Sequence, residues 1–283
     1  MPRTQSPTTE AVSIETRNGY GTTLAAIVHL PSEFDTGTTH SAVVVSHTGG
    51  GVKEQTAGLY ASKLAASGLV AVAYDASFQG ESTGTPRQLG NPHIRTEDIS
   101  AVIDFLTTLP YLDNNQIGAM GICVGGGYSI NAAINDPRIK AVGTVSMVNI
   151  GQMFRNGWDG SGADADAVSA LAQGAGARIH DASSAERERY PLAPMRKQDA
   201  QNPEEEEIWE FHKAEVYLTQ PLLLIAGSED GSKWMTEDAH ARAASTDKSL
   251  YLMDGANHMT LYDRQPYVND AASKLAQFFA DKL

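Results

Sequence analysis

The sequence predicts an α/β fold: a mostly parallel sheet flanked by helices, with a helical insertion late in the chain. Three observations carry this expectation. Short β-branched apolar runs alternate with longer segments of helical spacing, the signature of parallel strands joined by crossover helices. The chain of 283 residues exceeds a typical single domain but suits an open α/β sheet with an excursion. Between Val148 and Tyr217 that rhythm breaks, and polar, alanine-rich and acidic sequence replaces strands.

Residues 1–10, rich in Thr, Pro and Ser, read as a loose tail. The runs TTLAAIVHL and AVVVSH read as strands. A helix follows in EQTAGLYASKLAASG, where Leu59, Tyr60 and Leu64 recur on one side and Gly68 marks the stop. Lys53 and Glu54 are expected to begin it. LVAVAYD is the next strand, and TEDISAVIDFLTTLP carries an apolar helical stripe of Ile99, Val102, Ile103 and Leu106. Then come the strand IGAMGI, a glycine-rich turn, the helical GGYSINAAIN and the strand AVGTVSMV. The chain closes with the strand PLLLIAG, a helix around TEDAHARAA, the strand SLYLMDG and a helix in DAASKLAQFFADKL. Residues 1–148 and 218–283 thus form the two parts of one core, and 149–217 a helical cap. Within the cap, NPEEEEIWEF has the form of a helix start: Asn202 caps, Pro203 takes the first position and acids face the positive end of the dipole.

Charge and composition exclude several classes. A net charge of −13, from 34 acidic against 21 basic residues, repels nucleic-acid phosphates and anionic lipid, and no Lys/Arg block offsets it. A single cysteine excludes an internal disulfide and the multi-cysteine zinc patterns. The first twenty residues contain no apolar signal-type stretch, and runs such as GLVAVAY are too short to span a bilayer. The expectation is a soluble cytoplasmic protein that needs no cofactor or metal and takes a small-molecule acyl substrate, with its oligomeric state left open.

Two stretches compete for the nucleophile. GESTG, Gly80 to Gly84, satisfies G-x-S-x-G around Ser82, whereas GICVG, from Gly121, places Cys123 at the same spacing. A nucleophile elbow needs a strand, a sharp turn and then a helix whose freed N–H groups meet a developing oxyanion. Cys123 has that context, with IGAMGI before it and Tyr128 to Ala133 continuing as helix. Ser82 follows its strand at a distance, and Gly84-Thr85-Pro86 favours a turn, so Ser82 reads as a loop residue satisfied by backbone groups. A helix N-terminus also lowers a thiol's pKa.

A thiol nucleophile wants a histidine, and a carboxylate to orient it. Of eight histidines, only His258 sits in a loop just past a late strand, after the flexible Gly255-Ala256. The acid should follow the preceding strand, where PLLLIAGSED ends in Glu229 and Asp230. Asp230 is preferred for its G-x-x-D spacing from Gly227, which resembles the acid turn of related enzymes. The order Cys123, Asp230, His258 is that of α/β-hydrolases, although Ser82 would give the same order. The oxyanion donors expected are the N–H of Val124 and one from the loop HTGGGVKEQ, Gly49 or Thr48. His47 is expected to tie that loop down. Met147, Met153 and Trp158 read as core or cap packing.

HTGGGVKEQTA, YDASFQGESTG, GICVGGGY, AGSED and GANHMTLYD together resemble an α/β-hydrolase branch related to dienelactone hydrolases, Xaa-Pro dipeptidyl-peptidase-like proteins and polyketide transferases. The resemblance runs over nearly the whole chain outside the tail and cap. It implies the α/β-hydrolase fold, a Cys–His–Asp triad carried by Cys123, His258 and Asp230, and a GESTG loop that shapes the fold beside the active site. The activity expected is hydrolysis of a small activated ester, lactone or thioester through a cysteinyl thioester. An acyltransferase using the same acyl-enzyme, or a non-catalytic protein that holds a small ligand under the cap, are the alternatives.

Overall fold

The structure is a computed structural model that describes residues 8–162 and 214–283, together with positions 172, 175, 176 and 179 between them. The chain opens with β1 (Thr8–Glu15), β2 (Thr23–Leu30) and β3 (His40–Ser46), then α1 (Thr56–Ala66), β4 (Val70–Tyr74) and α2 (Pro92–Leu106). It continues through β5 (Leu112–Ile122), α3 (Val124–Asn135), β6 (Ile139–Val145) and α4 (Ile150–Asn156). Next among the described elements come α5 (Ala214–Tyr217), β7 (Leu222–Gly227), α6 (Lys233–Arg242), β8 (Lys248–Met253), α7 (Thr260–Asp263) and α8 (Tyr267–Lys282).

The strands form one sheet in the order β1-β2-β4-β3-β5-β6-β7-β8. The β1–β2 and β2–β4 pairs are antiparallel and the rest parallel. β3 and β4 are buried along nearly their whole length, which is why they read as unbroken β-branched and alanine runs. In α1, Tyr60 and Leu64 face the core, and Gly68 at φ +100° follows its end. From β3 the chain crosses to β4 on one side, then returns past β3 to β5. Right-handed crossovers therefore put α1 on one face of the sheet and α2 and α3 on the other; α1 packs against α8, and α2 against α3. That reversal opens a crevice at the carboxyl ends of β3 and β5, where ligands of open α/β sheets bind.

The α/β expectation holds, with three local differences. Thr8, Thr9 and Glu10, assigned to the loose tail, are already strand, paired with Leu30, His29 and Val28; their exposed edge position carries little apolar signal. The helix expected in TEDISAVIDFLTTLP starts earlier, because the Asn91 side chain accepts from the N–H groups of His93 and Ile94 and Pro92 takes the first position. Lys53 and Glu54 do not begin α1. They lie in a turn before it, with Lys53 drawn inward to Asp75. Of the expected cap, α4 and α5 are described, and the helix start at Asn202 and Pro203 lies outside the described residues. No helix among the described residues is long and apolar enough to cross a membrane.

Candidate active site

Parallel register brings the functional loops to one edge of the sheet. Ser46 stands opposite Gly121, Ile122 opposite Val145, and Gly227 opposite Met253, so the segments that follow β3, β5, β7 and β8 emerge side by side. Cys123 is the residue between β5 and α3, with φ 57° and ψ −128°. A non-glycine residue in this region is strained and is held there by its surroundings. The Cys123 N–H donates to the Val145 carbonyl, and its own carbonyl accepts from Gly126 and Val148. The turn closes tightly enough that a Cβ on Gly125 would lie 2.5 Å from the carbonyl oxygens of Ser46 and His47; only glycine fits.

Val124, first residue of α3, offers one of the helix's N–H groups that lack an intrahelical partner. Gly49 lies against it, since a Cβ there would be 3.5 Å from Val124 Cγ2, and the Gly49 N–H reaches the Cys123 sulfur. Thr48, the other expected donor, has its carbonyl turned inward, accepting from His47 Nδ1 at 2.7 Å and from the Gly51 N–H at 3.1 Å. His47 has the tying role expected of it. Its Nε2 accepts from the Ala76 N–H at 3.1 Å while Nδ1 meets a carbonyl. An amide can only donate and a carbonyl only accept, so the tautomer is fixed. Burial and the nearby Arg95 hold His47 down to about 3 and hence neutral.

Asp230 and His258 meet at the ends of β7 and β8. His258 Nδ1 lies 3.3 Å from Asp230 Oδ1 and 2.9 Å from Ser232 Oγ. Ser232 donates to the same Oδ1 from both its N–H and its hydroxyl, at 2.8 Å each, so its lone pairs receive the Nδ1 proton. Burial pushes the Asp230 carboxyl up, but His258 and the Ser232 and Ser146 hydroxyls outweigh it and hold Asp230 below the usual carboxylate range. Glu229 is exposed and contributes its N–H to the Ala256 carbonyl. Between the two acids, the buried one is the partner of the histidine.

On its other side, His258 Nε2 pairs with the Tyr262 hydroxyl at 2.9 Å. Burial works against a charge on the imidazole, but Asp230 and Cys123 overcome it and raise His258 to about 9. Burial also opposes a thiolate at Cys123, yet His258, Tyr262 and the Gly49 N–H bring the thiol below its ordinary value. Both shifts run in the direction of a thiolate beside an imidazolium. Trp158, expected to be packing, stands edge-on to His258 with ring centroids 4.6 Å apart. Ser232 and Tyr262 were missed from sequence. Their signals were a serine two residues after the acid, as in Asx-type turns, and a tyrosine one helical turn after the histidine.

Ser82 lies elsewhere. Its hydroxyl donates to the Asp75 carbonyl at 2.6 Å and accepts from the Ala25 N–H at 2.9 Å. The loop that contains it supports the oxyanion side. The Asp75 carboxylate accepts from the Lys53 N–H, the Lys53 ammonium and the Glu81 N–H at 2.8 to 2.9 Å. No group of three or more His, Cys, Asp or Glu side chains among the described residues is placed to hold a metal ion.

Comparison with known proteins adds four facts. Residues 20–260 match the X-Pro dipeptidyl-peptidase (S15) family. The chain is 52% identical to uncharacterized protein YcjY of Escherichia coli, over 96% of this chain and 98% of that one. Among solved structures, hypothetical protein PA2218 of Pseudomonas aeruginosa superposes with a TM-score of 0.84 at 30% identity, covering 100% of this chain and 96% of that one. A dienelactone hydrolase from Anabaena variabilis shares the fold with a TM-score of 0.63 at 17% identity, covering 99% and 100%.

Proposed function

The chain belongs to the X-Pro dipeptidyl-peptidase (S15) family of α/β-hydrolase-type hydrolases, and from that premise we propose that it cleaves small activated esters, lactones or thioesters through an acyl-enzyme on Cys123. The observation that carries this reading is the elbow itself: the position between β5 and α3 holds a cysteine, where the family usually uses serine. The Cys123 thiolate attacks the carbonyl carbon, and the oxyanion is received by the N–H groups of Val124 and Gly49. Collapse expels the leaving group, protonated from His258 Nε2, while Asp230 and Ser232 hold the imidazole through Nδ1. Water, deprotonated by His258, then attacks the thioester and restores the thiolate.

Cysteine narrows the substrate class. A thiolate is itself a good leaving group, so a tetrahedral intermediate bearing a poor one, such as an amine, collapses back to substrate. Activated oxygen esters and thioesters escape that fate most readily, which disfavours ordinary peptide cleavage. The test is to mix the protein briefly with a panel of aryl esters and thioesters, quench in acid and measure the intact mass. The expected result is one added acyl group located at Cys123, lost rapidly in water. Persistence until an alcohol or amine is supplied would assign transfer instead of hydrolysis. Failure of every donor, with failure of iodoacetamide to label Cys123 in the folded protein, would overturn the reading.

A further inference from the structure

A groove of about 780 Å³ opens beside the site, between the Thr48–Gly51 loop with the start of α1 and the segment from Asn257 to Arg264. Gly49, Gln55, Leu59, Asn257 and Met259 are among its walls, and Tyr262 also lines it. Of the charged residues on its rim, Asp263 and Arg264 lie 3.7 Å apart, and Glu54 shares the Lys53 ammonium with Asp75 and Glu81, at 2.7, 2.9 and 2.7 Å.

The place of the departing group follows from proton geometry. His258 Nδ1 is committed to Asp230 and Ser232, so only Nε2 is free to serve a reacting atom. The position opposite Nε2 is held by the Tyr262 hydroxyl at 2.9 Å. Tyr262 therefore stands between the imidazole and the groove, and the same hydroxyl acts on the Cys123 sulfur. Its support is rigid: Leu261, the preceding residue, is fully buried, and its carbonyl accepts from the Tyr60 hydroxyl of α1 at 2.8 Å. A hydroxyl both donates and accepts, which makes it a connector between a protonated nitrogen and a basic heteroatom.

We propose that this groove is the leaving-group subsite and that Tyr262, at its inner end, is a catalytic residue that passes the His258 proton to the departing heteroatom. The proposal rests on the acyl-enzyme reading above. As the tetrahedral intermediate collapses, the bond from carbon to the leaving oxygen or sulfur breaks and its electron pair goes to that atom. The atom takes the Tyr262 hydroxyl proton while the tyrosine oxygen takes the Nε2 proton, which leaves tyrosine and imidazole both neutral. In the second half, water loses its proton along the same path in reverse, the carbon–sulfur bond breaks, and the thiolate and imidazolium are restored. With three carboxylates sharing the one Lys53 ammonium at its rim, the groove disfavours an anionic leaving group and suits an uncharged one.

The test uses one acid esterified to three leaving groups of rising basicity, 4-nitrophenol, phenol and a simple alcohol, with single-turnover acylation of Cys123 followed in wild type and Tyr262→Phe. General-acid assistance matters little to a good leaving group and most to a poor one, about 10²-fold or more. The expected pattern is a loss in Tyr262→Phe of under about tenfold for the 4-nitrophenyl ester, growing to about 10²-fold for the alkyl ester. Tyr60→Phe, which loosens α7 without touching the reaction, should slow all three esters by a common factor. A common factor in Tyr262→Phe as well, or no loss, would overturn the proton role while leaving the acyl-enzyme intact. Absence of any acyl group on Cys123 in the wild-type protein would overturn both readings.

Discussion

The turn around Ser82 and the turn around Cys123 carry nearly the same pattern of small residues, and they put it to different uses. In GESTG the first glycine serves a loop: Gly80 adopts φ +50°, and a Cβ there would lie 2.2 Å from the Asp75 carboxylate. The serine hydroxyl is consumed by two backbone groups, the Asp75 carbonyl and the Ala25 N–H, which leaves nothing to polarise it. Around Cys123 the glycines bring backbone against backbone, the helix begins at the next residue, and the sulfur faces His258, Tyr262 and the Gly49 N–H. A nucleophile is defined by which partners its side chain is left for, and a sequence pattern does not state that.

The sharpest way to break the contrast is to remove each side chain. Cys123→Ala should lower turnover of an aryl ester by at least about 10²–10³-fold, the order expected for losing a covalent nucleophile. Ser82→Ala should change it less than about twofold once the fraction of folded protein is matched. Steady-state rates on the purified pair decide, and the opposite ranking would hand the chemistry to GESTG.

The same contrast recurs between the adjacent acids. Asp230→Asn should cost about 10²-fold or more, because the amide disrupts the tautomer and orientation of His258, whereas the exposed Glu229→Gln should cost less than about threefold. The pH profile adds a second reading. Against the pull of burial, Asp230 and Cys123 together raise His258 to about 9; without the Asp230 charge the imidazolium is lost at lower pH. The alkaline limb of acylation should therefore lie near 9 in wild type and move down in Asp230→Asn. An unmoved limb would separate His258 from Asp230.

Much of this arrangement was legible in the sequence because it follows from order along the chain. The β-branched runs fixed the strands, and parallel strands with helical crossovers place everything that follows a strand on one edge. Asking what stands just past β5, β7 and β8 leads to Cys123, Asp230 and His258, and the structure places Asp230 beside His258. Ser232 and Tyr262 were not found, because both act through hydrogen bonds whose partners are set by side-chain rotamers rather than by spacing. Lys53 was misread for a related reason: a lysine before a helix looks solvated, and its burial against Asp75 depends on a loop 22 residues away. Trp158 shows the limit from the other direction, since an aromatic residue bears no sequence mark for whether it fills a core or flanks an imidazole.

The smallest effect tests the structural side of the contrast. If Ser82 is a brace, its removal should be felt in stability and not in chemistry. Ser82→Ala leaves the Asp75 carbonyl and the Ala25 N–H without the hydroxyl that joins them, at a site that is almost fully buried. Unsatisfied buried polar groups cost about 1–3 kcal/mol, so urea unfolding should show a loss in that range with an unchanged slope. The brace also supports the segment whose Asp75 carboxylate holds Lys53 and, through Ala76, His47. Thus the loss should be accompanied by a modest rise in KM, as the oxyanion loop gains freedom, while kcat at saturation stays within about twofold. A fall in kcat with stability unchanged would mean that the Ser82 hydroxyl serves the reaction directly, and the division between the two turns would have to be redrawn.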